Sequence, residues 1–234
     1  MVRRTARDIE RHYFEQFRQH YTLPEGAVEY ADRPDVHIIG ERHIGIEIAR
    51  LFIVDGSDPA SEQVQIKRRE LVMSRAQELH LERGGRSIEL HVDFDPMVPI
   101  VEVEGSARRL ADLAEQIQDE PTRLVGELAG NAEGLRYVSH NGIAYDDAVW
   151  RSIQVFTVPP LNINRLEAVL AEKSEKSCHY TSCDAYWLLL VVDYFDSAQD
   201  QELSFPLGYS CPASAFERVL LYKPQFAQVL EAPR

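Results

Sequence analysis

One stretch constrains the fold more than any other: Arg33-Pro34-Asp35-Val36-His37-Ile38-Ile39-Gly40-Glu41-Arg42-His43-Ile44-Gly45-Ile46-Glu47-Ile48-Ala49-Arg50. Two strand-like runs, 35–39 and 44–50, flank Gly40-Glu41-Arg42. On a strand, alternate residues share a face. Val36 and Ile38 therefore share one face of the first strand, and Ile44, Ile46 and Ile48 share one face of the second. If these five face a core, Asp35 and Glu47 both point the other way.

The same pattern selects a register. A three-residue loop, Gly40 to Arg42, pairs Ile38 with Ile44, Val36 with Ile46 and Asp35 with Glu47. A two-residue loop, Gly40-Glu41, suits a tight Gly-first turn better. It sets Val36 opposite Gly45 and Ile38 opposite His43, which mixes the faces. Misplacing an aliphatic side chain costs roughly 1.5–3 kcal/mol, against about 1 kcal/mol for a turn preference. A one-residue slip misplaces the whole set, so burial decides for the longer loop. Two carboxylates then face each other across the ladder, about 4.5–5.5 Å apart at Cβ. Such a pair is costly unless a cation binds or one carboxyl takes up a proton. Hard divalent cations such as Mg²⁺ favour oxygen ligands of this kind.

The rest of the chain supplies helices and further strands. Residues 5–21 carry Ile9, Tyr13, Phe14, Phe17 and Tyr21 at helical spacing, and Leu23-Pro24-Glu25-Gly26 stops that helix. A second helix is predicted from a cap at Ser57 or Asp58, with Pro59 in its first turn, to about Leu81. Ser87–Phe94 alternates as a strand. A helix over 106–117, strands over 135–139 and 149–158, and a helix over 162–180 follow. The continuous apolar run 185–193 suits a strand buried on both faces, and 217–222 suits a last strand. This order predicts an α/β protein with one mixed sheet and helices packed on it. With no evident linker or repeat, a single domain over 1–234 is expected, with a hairpin core at 30–94 and a C-terminal elaboration at 95–234.

Charge narrows the function. Lys plus Arg total 25 and Asp plus Glu 38, a net charge of −13. A uniformly basic protein that coats nucleic acid is excluded; an enzyme with a local basic groove is not. The longest apolar run, Tyr186 to Val192, is too short to span a bilayer. Three cysteines and a polar N-terminal stretch predict a reducing, cytoplasmic setting.

Pro34-Asp35, a short hairpin, and then Ile46-Glu47-Ile48-Ala49 resemble the signature of the PD-(D/E)XK nuclease superfamily. The resemblance implies a restriction-endonuclease-like mixed sheet flanked by helices. It also implies Mg²⁺ or Mn²⁺ held by Asp35 and Glu47, and nucleic acid as substrate. A first-helix acid often joins the pair; Glu10 is the candidate here, because it lies with Tyr13, Phe14 and Phe17, whereas Glu15 points elsewhere. The signature's lysine, two residues after the Glu, is replaced by Ala49. Another element must supply it in an active enzyme. Lys67, between Val64 and Leu71 with Gln63 one turn before it, is one source; Lys173 and Lys176, on one helix face with Val169 and Tyr180, are another. Lys67 and Lys176 are assigned the charge-stabilising role, and Arg50, Arg68 and Arg69 the phosphate contacts. The alternative reading is an inactive nuclease-fold regulator, such as an acidic phage-defence or immunity partner. A homodimer or protein partner fits either reading.

Other motifs carry less. Cys178-His179…Cys183 has the residue types for zinc but lacks four ligands. Asp93 and Asp95 are expected at an exposed strand end, with Asp93 able to join an acidic cluster.

Overall fold

A computed structural model describes residues 5–54, 56–95, 98–120, 123–125, 134–153 and 158–234. The chain is of mixed α/β class and divides into two compact units, 1–55 with 158–234 and 56–157. The second is an insertion in the sequence of the first. This division differs from the expected single domain and cuts through its core at 30–94. Asp55-Gly56-Ser57-Asp58-Pro59 lies at the first junction and Val158-Pro159-Pro160 at the second. Among the described residues no helix is long and apolar enough to cross a membrane.

The first unit runs α1 (Ala6–Phe17), β1 (Ala27–Tyr30), β2 (Val36–Ile39) and β3 (His43–Arg50). The hairpin strands lie where the alternation places them; β1 was not anticipated, because four residues of mixed polarity carry little signal. Helix α1 starts at a capping box: the Asp8 amide donates to Thr5 Oγ1 (3.2 Å) and the Thr5 amide to Asp8 Oδ2 (2.9 Å).

In the second unit α2 (Glu62–Glu82), β4 (Ile88–Phe94), α3 (Val103–Ile117), β5 (Arg123–Val125), β6 (Leu135–Ala144) and β7 (Trp150–Ile153) follow. Helix α2 begins after Ser61 rather than at Ser57 or Asp58. The Asp58-Pro59 segment makes a turn instead, with the Ser61 amide on the Asp58 carbonyl (2.9 Å) and the Ala60 amide on Asp58 Oδ1 (2.8 Å). The four strands order β5-β6-β4-β7. Val72, Met73 and Ala76 of α2 and Leu110, Leu113 and Ala114 of α3 join Leu90, Val92 and Trp150 in this unit's core.

The chain re-enters the first unit with α4 (Ile163–Lys176), then β8 (Ala185–Val191), β9 (Arg218–Lys223) and β10 (Gln228–Glu231). The sheet orders β1-β2-β3-β8-β9-β10. Its β1-β2-β3 meander and the β9–β10 pair are antiparallel; β3–β8 and β8–β9 are parallel. The parallel β3–β8 contact requires a crossover. It is made by the whole insertion plus α4.

Val36 faces Ile46 and Ile38 faces Ile44, the register of the three-residue loop. One side of the sheet buries Val36, Ile38, Ile44, Ile46, Ile48, Trp187, Leu189 and Leu220 with Phe14 and Phe17 of α1. On the other side, Leu188 and Leu190 pack with Leu166, Val169 and Leu170 of α4, and Ala49 packs against them. The hydrophobic halves of two helices thus cover opposite faces, and the polar side of the hairpin adjoins α4.

Candidate metal centre

Asp35 immediately precedes β2. Continuing the Val36–Ile46 register by one residue brings it across from Glu47. Asp35 Oδ2 accepts a hydrogen bond from the Ile48 amide (2.7 Å), which fixes its carboxylate at the β3 backbone. Glu47 lies mid-strand and is only 8 % exposed. Leu188 of β8 flanks it. The geometric expectation for this pair therefore holds.

Lys173 completes the group. Its Nζ lies 2.6 Å from Glu47 Oε1, and both side chains are largely buried. The lysine arrives from α4 because that helix is anchored at its start. Asn162 Oδ1 accepts from the Arg165 amide (3.1 Å) as an N-cap, and Asn162 Nδ2 donates to the Ile53 carbonyl (2.8 Å), three residues beyond β3. From that anchor, Leu166, Val169, Leu170 and Lys173 descend on the sheet in register. Ala49, where the signature has lysine, packs against the core of α4 residues.

Burial first, and then the facing Glu47, push the Asp35 carboxyl up to about 7, against the Ile48 amide and Lys173, which pull the other way. Glu10 on α1 is half-buried and its carboxyl is also raised, first by burial and then by Glu47, against Lys173, Arg50 and Arg7. The Tyr180 phenol is raised by burial and by Glu47 and Asp35. Its hydroxyl is buried beside Glu47 and makes no hydrogen bond of normal geometry among the described residues. Glu47, the neighbouring Asp35 and a protonated phenol thus lie about one largely buried ammonium, and Glu10 acts on the group electrostatically. This excess of negative charge in a partly desolvated place suits a hard divalent cation. Glu10 and Asp35 also line one cleft of about 320 Å³ with Arg7, Arg11 and Tyr30. Arg7 pairs with Asp32 (2.7 Å), and the Arg11 guanidinium stacks over Tyr30 (4.4 Å).

The remaining sequence candidates have other surroundings. Lys176 is exposed and pairs with Glu172 one turn back (2.6 Å), away from Glu47. Lys67 lies in the inserted unit and is exposed. The apolar side inferred for it is not the buried one: α2 buries Gln65, Arg69, Val72, Met73, Ala76 and His80, while Leu71 is 58 % exposed. Gln65 and Arg69 hide the true face from a hydrophobicity pattern. Gln65 is buried because it bonds the Pro59 carbonyl (2.8 Å) and the Ile100 amide (2.8 Å). Arg69 is held by Glu62, and Arg68 donates to the Ile100 carbonyl, so neither arginine offers a free phosphate contact. Arg50 is exposed, with its guanidinium over Phe52 (5.0 Å). Asp93 is buried rather than exposed and pairs with Arg136 (2.9 Å) in the inserted unit. The helix expected to reach 180 ends at Lys176; Tyr180 follows a 3-10 turn in extended conformation, and of the two lysines Lys173 rather than Lys176 meets Glu47. Comparison with known protein families, curated proteins and solved structures yields no match to this chain.

Proposed function

We propose that this protein is a divalent-cation-dependent phosphodiesterase acting on nucleic acid, built on a restriction-endonuclease-like framework. The observation that carries the reading is Lys173 Nζ at 2.6 Å from Glu47 Oε1, on the strand whose partner presents Asp35. A helix preceding the hairpin and a mixed sheet flanked by helices support it. Asp35 and Glu47, with Glu10 as third acid, would hold Mg²⁺ or Mn²⁺. Bound there, the cation would lower the pKa of a water nucleophile and draw charge from a phosphoryl oxygen.

The chain's own groups do the rest. Lys173 supplies a fixed positive charge beside the position where negative charge grows in the transition state. The Tyr180 hydroxyl keeps its proton near neutrality and is a hydrogen-bond donor to the same region. Arg11 at the cleft supplies a local phosphate contact that a net charge of −13 otherwise denies. Hydrolysis adds one water across a P–O bond. The leaving oxygen needs a proton, and Lys173 is the cationic donor nearest the acids.

The test is cleavage of labelled DNA and RNA with Mg²⁺ or Mn²⁺. Wild type should hydrolyse one of them, while Asp35→Asn, Glu47→Gln and Lys173→Ala should lose on the order of 10²–10³-fold. Lys67→Ala and Lys176→Ala should retain activity. Equal activity in Glu47→Gln would sink the proposal. The net charge favours one other reading, an inactive binding protein on the same framework, which predicts no hydrolysis by wild type under any of these conditions.

A further inference from the structure

A second group of side chains converges on the same polar side of the hairpin, and it has different chemistry. His37 lies on β2 and His43 on β3; Cys183 is two residues before β8. His37 Nδ1 and His43 Nε2 are 2.8 Å apart, and Cys183 Sγ is 3.6 Å from each of them. His37 is buried, and His43 and Cys183 are half-buried.

We propose that His37, His43 and Cys183 form a binding site for a borderline-soft divalent cation, Zn²⁺ by its ligand chemistry, separate from the carboxylate site. Zn–S bonds of about 2.3 Å and Zn–N bonds of about 2.0–2.1 Å give tetrahedral edges of about 3.6 Å for S···N and about 3.3 Å for N···N. The two sulfur–nitrogen separations match those edges as they stand. The nitrogen pair needs to open by about 0.5 Å, a small rotation of two imidazoles. Thiolate and imidazole ligands select Zn²⁺ over Mg²⁺.

The surroundings hold the three ligands in place. The His43 amide donates to Asp184 Oδ2 (2.7 Å), and the Asp184 amide donates back to the His43 carbonyl (2.8 Å). This pair fastens the residue after Cys183 to the strand carrying His43. The Cys183 amide donates to the Tyr186 hydroxyl (3.2 Å). Gly45, opposite His37 in the ladder, leaves the space the thiol occupies: a Cβ there would lie 3.0 Å from Cys183 Sγ and 2.6 Å from Pro34 Cγ. Glu29 lies across the β1–β2 ladder from His37 and acts on it electrostatically.

Three protein ligands leave a fourth position for water or a small anion. The site is not the second half of a two-metal centre. His37 is two residues along the strand from Asp35, about 7 Å, whereas paired catalytic metals sit about 3.5–4 Å apart. Its effect is to clasp the hairpin to the segment entering β8, the segment that follows Tyr180. It stands independently of the proposed hydrolysis.

Co²⁺ titration of the intact protein tests it, because a thiolate ligand gives cobalt a charge-transfer absorption. One equivalent should produce that absorption in wild type and in Glu47→Gln, and Zn²⁺ should displace it. It should vanish in Cys183→Ser and His37→Ala and persist in Cys178→Ser. A second measurement needs no variant. Zn²⁺ should slow alkylation of Cys183 at least tenfold, read by peptide mass, while exposed Cys178 reacts unchanged. Absence of the charge-transfer absorption in wild type, its survival in Cys183→Ser, or alkylation of Cys183 at the same rate with and without Zn²⁺ would each overturn the proposal.

Discussion

The two faces of the β2–β3 ribbon are built on opposite terms. One is purely aliphatic: Val36, Ile38, Ile44, Ile46 and Ile48 are each at most 3 % exposed. The other carries Asp35, His37, His43, Gly45 and Glu47, with Lys173 and Cys183 supplied from α4 and from before β8. The aliphatic face fixes the register, since a slip by one residue would turn five aliphatic side chains out of the core they share with Phe14 and Phe17 and put the charged set into it. Because register is secured there, the polar face is free to hold groups in relations that cost stability. The difference teaches that this polar face is carried by its neighbour rather than stabilising the fold itself.

Substitutions on the two faces should therefore differ in size and, at Asp35, in sign. The largest loss of stability belongs to the aliphatic face. Ile46→Ala should cost up to about 5 kcal/mol by denaturant unfolding, while the folded fraction keeps its affinity for Mg²⁺. Next comes Lys173→Met, which leaves Glu47 buried without its cation. It should cost about 3 kcal/mol at pH 8 without metal, and Lys173→Met with Glu47→Gln should recover most of that. A double variant no more stable than the single one would show that the pair is not coupled.

Asp35 supplies a smaller effect of reversed sign. Its carboxyl is raised in the folded chain to about 7 from an ordinary 3.8, so the folded state holds the proton more tightly than the unfolded state. Its contribution is full below about pH 4 and is lost as pH rises to 7. Between pH 5 and 7 wild type should lose about 2–3 kcal/mol relative to Asp35→Asn in metal-free buffer. Parallel stability curves for the two proteins would contradict the raised carboxyl. The smallest effects belong to Lys176→Ala and Lys67→Ala, each within about 0.5 kcal/mol, because both lysines are exposed.

What was legible in the sequence follows the same division. Strand alternation with five aliphatics fixed the hairpin, its register and the meeting of Asp35 with Glu47, because burial there is large and local. The i, i+3, i+4 spacing predicts Lys173, Lys176 and Tyr180 on one helix face, but Tyr180 lies beyond the helix end, and spacing cannot say which lysine reaches the strand. Helix α4 ends at Lys176, where Glu172 holds the side chain outward. Lys67 misled because the buried face of α2 includes an arginine and a glutamine whose partners are distant in sequence. The His37–His43–Cys183 group was illegible for another reason. Parallel pairing of β3 with β8 brings Cys183 to residues 140 and 146 positions away. The available signal was two histidines on the same face as the acids. The insertion at 56–157 is bounded by Asp55-Gly56-Ser57-Asp58-Pro59 and Val158-Pro159-Pro160, but turn clusters this short read equally well as loops within one domain.

The central claim is that Asp35 and Glu47 share a divalent cation beside Lys173. Calorimetric titration with Mg²⁺ at pH 6 and pH 8 tests it most directly. Asp35 must lose its proton to bind, so wild type should take up one ion about tenfold more tightly at pH 8 than at pH 6. Glu47→Gln should lose the binding, and Cys183→Ser should keep it. Undiminished binding by Glu47→Gln, or no binding by wild type at either pH, would contradict the account.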